Sequence, residues 1–407
     1  MARLRTTGFE LNSVTDVIEN NTHSGPPTID TTTIRSGVYA LQKDAGVNTG
    51  ICEVVLNTAG TNQGWWMRGY ININAYPGSL KDGGLMFRDT GGAVVACIGI
   101  NSDGTLELWH SNFPGSGTQI GSDSAALSLD TWYRLELFVD TTTNTSCDIE
   151  AKIDGTAFAT TSGVNLSGLA GGAAIQYARV GQALSDSTAE FFFDDVAVND
   201  DTGSFQNSYP GEGEVIRLKP DGDGDNTAWT NTYTNIDEVT PDDTTTLISS
   251  ATLDQIEDVN IEATPAAMAS DDVINVVHVG CRFRRSNNFD SPTFVVRVKA
   301  SASGTVEESS SMAPVSTTWL TNNVNTTLPG LYPLTLYDLP GSSTTAWTKT
   351  DLDAAQIGVR QTKNAISASN VTTLWMYVDH KPAPAAPSAV AVKPHPTFFA
   401  AGGVGIS

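Results

Sequence analysis

Basic side chains, histidines and cysteines are scarce in this 407-residue sequence, and each shortage removes a class of function. Lysine and arginine together number 22 against 45 aspartates and glutamates, giving a formal charge of −23. So negative a chain repels phosphate backbones and anionic lipid, which argues against nucleic-acid and membrane partners. There are five histidines (His23, His110, His278, His380 and His395) and no G-x-S-x-G elbow beside them, so no nucleophilic triad is written here. A glycine-rich phosphate loop with its lysine is also missing. Cys52, Cys97, Cys147 and Cys281 lie far apart, none in a C-x-x-C pair, which excludes a zinc cluster and predicts buried free thiols. No segment approaches the roughly 18 consecutive apolar residues of a membrane span. The N-terminus lacks the apolar stretch of a signal peptide, so the expectation is a chain made in a cytoplasm and not exported.

What is abundant is strand and turn chemistry. In Leu127–Asp140 the apolar side chains fall on every second residue, and Ile149-Glu-Ala-Lys-Ile-Asp-Gly155 and Glu190-Phe-Phe-Phe-Asp-Asp-Val-Ala-Val198 repeat the pattern between polar turns. Asn101-Ser-Asp-Gly104 sits between two apolar runs, as a tight hairpin requires. The fold class is therefore all-β, and 407 residues exceed one ordinary sandwich.

The order "W-Y-R-L-E-L", "K-I-D-G", "F-F-F-D-D-V-A-V" resembles the concanavalin A-like lectin/laminin-G jelly roll over about residues 7–200. The resemblance implies a fold and leaves function open. Glycosidases that share this fold carry an E-x-D-x-x-E strand, and none occurs here. Further on, "L-K-P-D-G-D-G-D-N" followed by "W-T-N" and "N-I-D-E-V-T-P-D-D-T-T-T-L-I" is similar to a module of tailed-bacteriophage virion structural proteins. That resemblance implies a tail or decoration protein with no catalytic residues.

Together these readings predict two tandem antiparallel β-sandwich, jelly-roll-like domains, 1–200 and 213–380, joined by a linker at 201–212 that carries turn residues and little apolar content. Residues 381–407 form an extended Pro/Ala-rich C-terminal arm, because repeated proline disfavours helix and favours polyproline II. Phe398, Phe399, Val404 and Ile406 at its tip suit docking on a neighbouring subunit; folding back on its own domain or a disordered terminus are the alternatives.

Two further groups of residues suggest sites. Asp221, Asp223 and Asp225 alternate with glycine, and a glycine-permitted turn would let them converge on Ca²⁺. Position twelve of an EF-hand count is Thr232 rather than glutamate, so the loop is not an EF-hand, and a solvated turn is the competing reading. Trp65, Trp66, Tyr70 and Trp109, with His110, are candidate platforms for sugar rings, against the alternative that they fill the core. Asp194 and Asp195 should point to opposite faces of their strand, one of them capping backbone N–H groups.

The expected function is that of a non-enzymatic bacteriophage virion structural protein on the particle exterior, as capsid decoration or tail-associated protein. Its partners would be other virion proteins and copies of itself. No cofactor is required, with Ca²⁺ as an optional ligand. The alternative is a receptor-binding adhesion module that recognises host surface glycans through the first sandwich.

Overall fold

The computed structural model describes residues 3–13, 27–56, 59–111, 113, 116–182, 184–322 and 332–383. They form β-sandwich layers built from four antiparallel sheets, with a short α-helix, Lys349–Asp353, and a 3-10 turn, Tyr233–Asn235, among them.

An eight-stranded sheet runs Thr156–Val164, Cys147–Ile153, Trp132–Asp140, Gly64–Ala75, Glu190–Asp200, Ala40–Lys43, Thr28–Asp30, and Arg3–Thr7 also pairs with Glu190–Asp200. A six-stranded sheet faces it, in the order Gly50–Val55, Ile175–Gln182, Leu85–Asp89, Val94–Ile100, Leu106–His110, Thr118–Ile120. Alternation sorts the side chains as expected: Leu135, Leu137 and Val139 enter the core, while Arg134, Glu136 and Phe138 face away. Asp154 and Gly155 join the strands paired at Ile153 and Thr156, and both have positive φ, the signature of the tight hairpin turn that suits strand twist. Gly104, with a φ of 84°, turns the next predicted hairpin.

Downstream, a six-stranded sheet is built around Glu214–Leu218, Ser369–Lys381 and Val273–Arg285. A five-stranded sheet, Pro220–Thr227, Ile256–Ile261, Gln356–Gln361, Phe294–Lys299 and Val306–Glu308, covers one of its faces. Its other face packs on the eight-stranded sheet. The strand Ser369–Lys381 shows this directly, since Leu374, Met376 and Val378 belong to the downstream core while Trp375 and Tyr377 belong to the upstream one. Val215 and Ile216 divide in the same way. A sheet buried on both faces reads as an almost unbroken apolar run, which is how Leu374-Trp-Met-Tyr-Val378 reads. All four cysteines are free and buried within these layers.

Candidate functional site

The two sets of layers meet through a buried polar network. Asp379 ends the alternation of its strand pointing at the upstream sheet, where Arg3 donates to its carboxylate and Arg68 does so at 3.1 Å. Asn275 adds a third donor at 3.1 Å. Burial would raise the Asp379 carboxyl, but Arg68 and Arg3 outweigh it and hold the group down at about 2. Arg68 also donates to the carbonyl of Asp195, and Arg3 Nε to Asn199 at 2.5 Å. Gly213 passes so close that a Cβ there would overlap both the Arg68 guanidinium and the Asp379 carboxylate.

His278 belongs to the same junction. Its ring bonds Thr335 through Nδ1 and Thr6 through Nε2, both at 2.9 Å, and stacks on Tyr332 at 4.3 Å. The Tyr332 hydroxyl donates to the Thr6 carbonyl. Burial and the nearby Arg3 push the imidazole pKa far down, so it is neutral and serves as a structural hydrogen-bonding group.

Beside this network the Asp194–Asp195 pair clamps the chain at Arg35–Ser36. The register slips between Asp194 and Ala197, and Asp195 has a φ of 50°, so this is a bulge. The expected opposite-face arrangement is corrected accordingly: both carboxylates reach one segment. Asp194 accepts from the Arg35 and Ser36 N–H groups, while Asp195 takes the Arg35 guanidinium, the Ser36 hydroxyl and the Val215 N–H. Burial and the adjacent Asp195 charge push Asp194 well above the carboxylate range.

A cleft of about 580 Å³ opens next to this clamp, lined from both sides of the junction. Val38, Ile216, Leu218 and Met268 give it apolar walls, and Glu10, Arg35, Glu214, Arg217, Glu262 and His380 add polar side chains. Glu10 is raised to about 8 by burial, in spite of the Val38 and Tyr39 N–H groups that bond it. Gly37, at a φ of 63°, lies so close to that carboxyl that no side chain fits there. Arg217 donates to the carbonyls of Glu10 and Val239, tying the cleft floor across the junction. Its mixture of apolar wall and polar rim can hold a small ligand or a few side chains from a partner.

The sequence candidates are dispersed. Trp65 lies in the upstream core beside Phe87, and Tyr70 is buried at the junction under the Arg35 guanidinium, 3.5 Å from its ring centre. Trp109 lies on the six-stranded sheet, where its indole N–H donates to Glu107 and its ring meets Phe113. Trp66 is half-buried on the eight-stranded sheet, stacked on Phe138 at 5.2 Å with Tyr209 beyond, and Trp109 is half-buried as well. The four therefore do not make one platform, and burial removes Trp65 and Tyr70 from any sugar site.

The aspartate triplet is also corrected. Asp221, Asp223 and Asp225 lie along the extended edge strand Pro220–Thr227, not in a turn, and neither Gly222 nor Gly224 has a positive φ. Asp225 is engaged by Lys299 at 2.8 Å and by Gln356. Among the described residues no group of three His, Cys, Asp or Glu side chains is arranged to hold a metal ion. Phe398, Phe399, Val404 and Ile406 lie outside the described residues.

Arg3, Glu10, Arg35, Arg68, Thr6 and Asp379 were not singled out from the sequence. The available signal was a charge inside an otherwise apolar strand, as in Trp65-Trp-Met-Arg-Gly-Tyr70 and Leu374-Trp-Met-Tyr-Val-Asp379.

No family model matches the chain, and no curated protein does. Among solved structures it is similar to an endo-β-1,4-glucuronan lyase from the fungus Trichoderma reesei, at 13% identity and a TM-score of 0.35, over 46% of this chain and 98% of that one. The cellulose-induced protein Cip1 is 18% identical, with a TM-score of 0.35 over 51% and 99% of the two chains. A Trypanosoma rangeli sialidase is 12% identical, with a TM-score of 0.30 over 44% and 29%. At these scores the likenesses transfer neither activity nor substrate to this chain. The virion resemblance of residues 213–380 has no counterpart among these matches.

Proposed function

We propose that this chain is a non-enzymatic structural protein of a bacteriophage virion, placed on the particle exterior as capsid decoration or tail-associated protein. It works by packing on and between repeated subunits. The observation that carries the reading is the fully buried Arg3–Asp379–Arg68 cluster, which joins the first and last described strands and makes the two halves one stiff body. A plate of that kind suits an assembly protein, because weak contacts repeated by symmetry add up only when each unit keeps its shape. The ionisable groups at the junction support the same reading: Asp194, Asp195 and Asp379 are taken up in capping backbone groups and pairing guanidiniums.

The test is cryo-electron microscopy of native particles, with mass spectrometry of their components. Ordered copies of this chain on the outer surface are expected; absence of the chain from purified particles rejects the proposal.

A second reading rests on the outward Trp66–Phe138–Tyr209 row, flanked by Lys152, whose ammonium lies 3.5 Å from the Tyr209 ring centre. Such a surface suits stacking of sugar rings, so recognition of host glycan through the first sandwich is the alternative. Saturable binding to host polysaccharide, lost in Trp66→Ala, would favour it; no binding to any host polysaccharide rejects it.

A further inference from the structure

We propose that the junction cleft is the receptor for the C-terminal tip, residues 397–407, of a second copy of this chain. The inference rests on the structural reading above and names the contact through which copies engage. Three features point to this occupant.

The first is position. The strand Ser369–Lys381 ends at the cleft, and its penultimate residue, His380, is part of the wall. The chain therefore departs from the rim of the cleft it is proposed to fill in a neighbour.

The second is chemistry. Residues 381–407 include Lys381 and Lys393 and no acidic side chain, in a protein of net charge −23. The cleft presents Glu214 and Glu262, together with Arg35 and Arg217, around Val38, Ile216 and Met268. Arg35 and Arg217 balance those acids, so what the tip meets is the apolar wall, which holds a peptide segment by burial. Val38 is 55% exposed, an apolar side chain that a bound partner would cover. The cleft volume of about 580 Å³ is enough to take Phe398 and Phe399.

The third is reach. Residues 382–396 include five prolines, which favour an extended run. Fully extended at ~3.1 Å per residue, a spacer of this composition would span roughly 45 Å, long enough to bring the tip to a neighbouring copy. Because each copy would offer both tip and cleft, the exchange can close as a pair or a ring, or continue as an array.

The experiment uses the full chain and two variants, Val38→Glu in the cleft and Phe398→Ser with Phe399→Ser in the tip, compared by sedimentation over a range of concentration. Circular dichroism and thermal melting verify that each variant is folded. The full chain is expected to self-associate, and each variant alone to do so about tenfold or more weakly. Mixing the two variants should restore association, since one keeps a working tip and the other a working cleft. A wild type that stays monomeric, a Val38→Glu chain that associates like wild type, or a mixture that does not recover would each overturn the assignment. Incorporation of both variants into particles at the wild-type level would leave the structural reading standing while the cleft assignment falls. Restored association in the mixture, with the chain absent from native particles, would do the reverse.

Discussion

Arg3 and Asp379 are 376 residues apart in sequence and form a fully buried ion pair. Arg68 shares the same carboxylate oxygen, so one aspartate is the common counter-ion of two guanidiniums where water does not reach. Removing that aspartate leaves both cations buried without their counter-charge. Asp379→Ala should therefore lower stability by about 3–5 kcal/mol, read from urea unfolding followed by tryptophan fluorescence. A loss below about 1 kcal/mol would mean that the pair is dispensable to the junction.

The Glu10 carboxyl gives a pH dependence of known sign. Its folded value of about 8 lies above the ordinary 4.5, so the folded state holds a proton that the unfolded chain releases. The stability tied to it is complete below about pH 4.5 and disappears as pH rises to about 8. Relative to Glu10→Gln, the wild type should lose urea resistance across that window. Parallel curves for the two proteins would refute the assignment. Asp379 acts on the acid side, where its contribution is lost as pH falls from the ordinary 3.8 towards about 2.

Gly213 supplies a prediction with no charge change. A methyl group there would overlap the Arg68–Asp379 pair, so Gly213→Ala should cost about 1–3 kcal/mol by forcing the pair apart. Gly168 has open space around its missing Cβ and is the control. Equal melting temperatures for Gly213→Ala and Gly168→Ala would show that the junction tolerates the shift.

Asp221, Asp223 and Asp225 are exposed along the edge of the five-stranded sheet, where charge discourages a second strand from pairing. Asp221→Thr with Asp223→Thr should hasten aggregation in light scattering while changing stability by less than about 0.5 kcal/mol. An unchanged aggregation rate would mean that the edge is protected in some other way.

The strands were legible because one face of most of them is core, and a period of two survives in the letters, as in Leu135, Leu137 and Val139. The Asp-Gly turns were legible because few residues accept positive φ. The aspartate triplet misled because glycine signals either a turn or a close approach of backbones. Here it is the second, since a Cβ on Gly224 would press against the backbone of Asp258. The bulge at Asp195 slips the register by local geometry that composition does not encode. The partners of Asp379 were hidden for a different reason: an acid at the end of an apolar strand signals a buried contact, but nothing nearby in sequence says that Arg3 and Arg68 supply it.

The junction also sets an order of events during synthesis. Arg3 is made 376 residues before Asp379, so the guanidinium waits through the synthesis of everything between them for its counter-ion. Until Ser369–Lys381 is made, the outer face of the eight-stranded sheet lacks the strand that brings Trp375 and Tyr377 to it. The upstream layers can assemble earlier, but the described body closes only once Asp379 has been made, in a step that joins segments far apart in sequence.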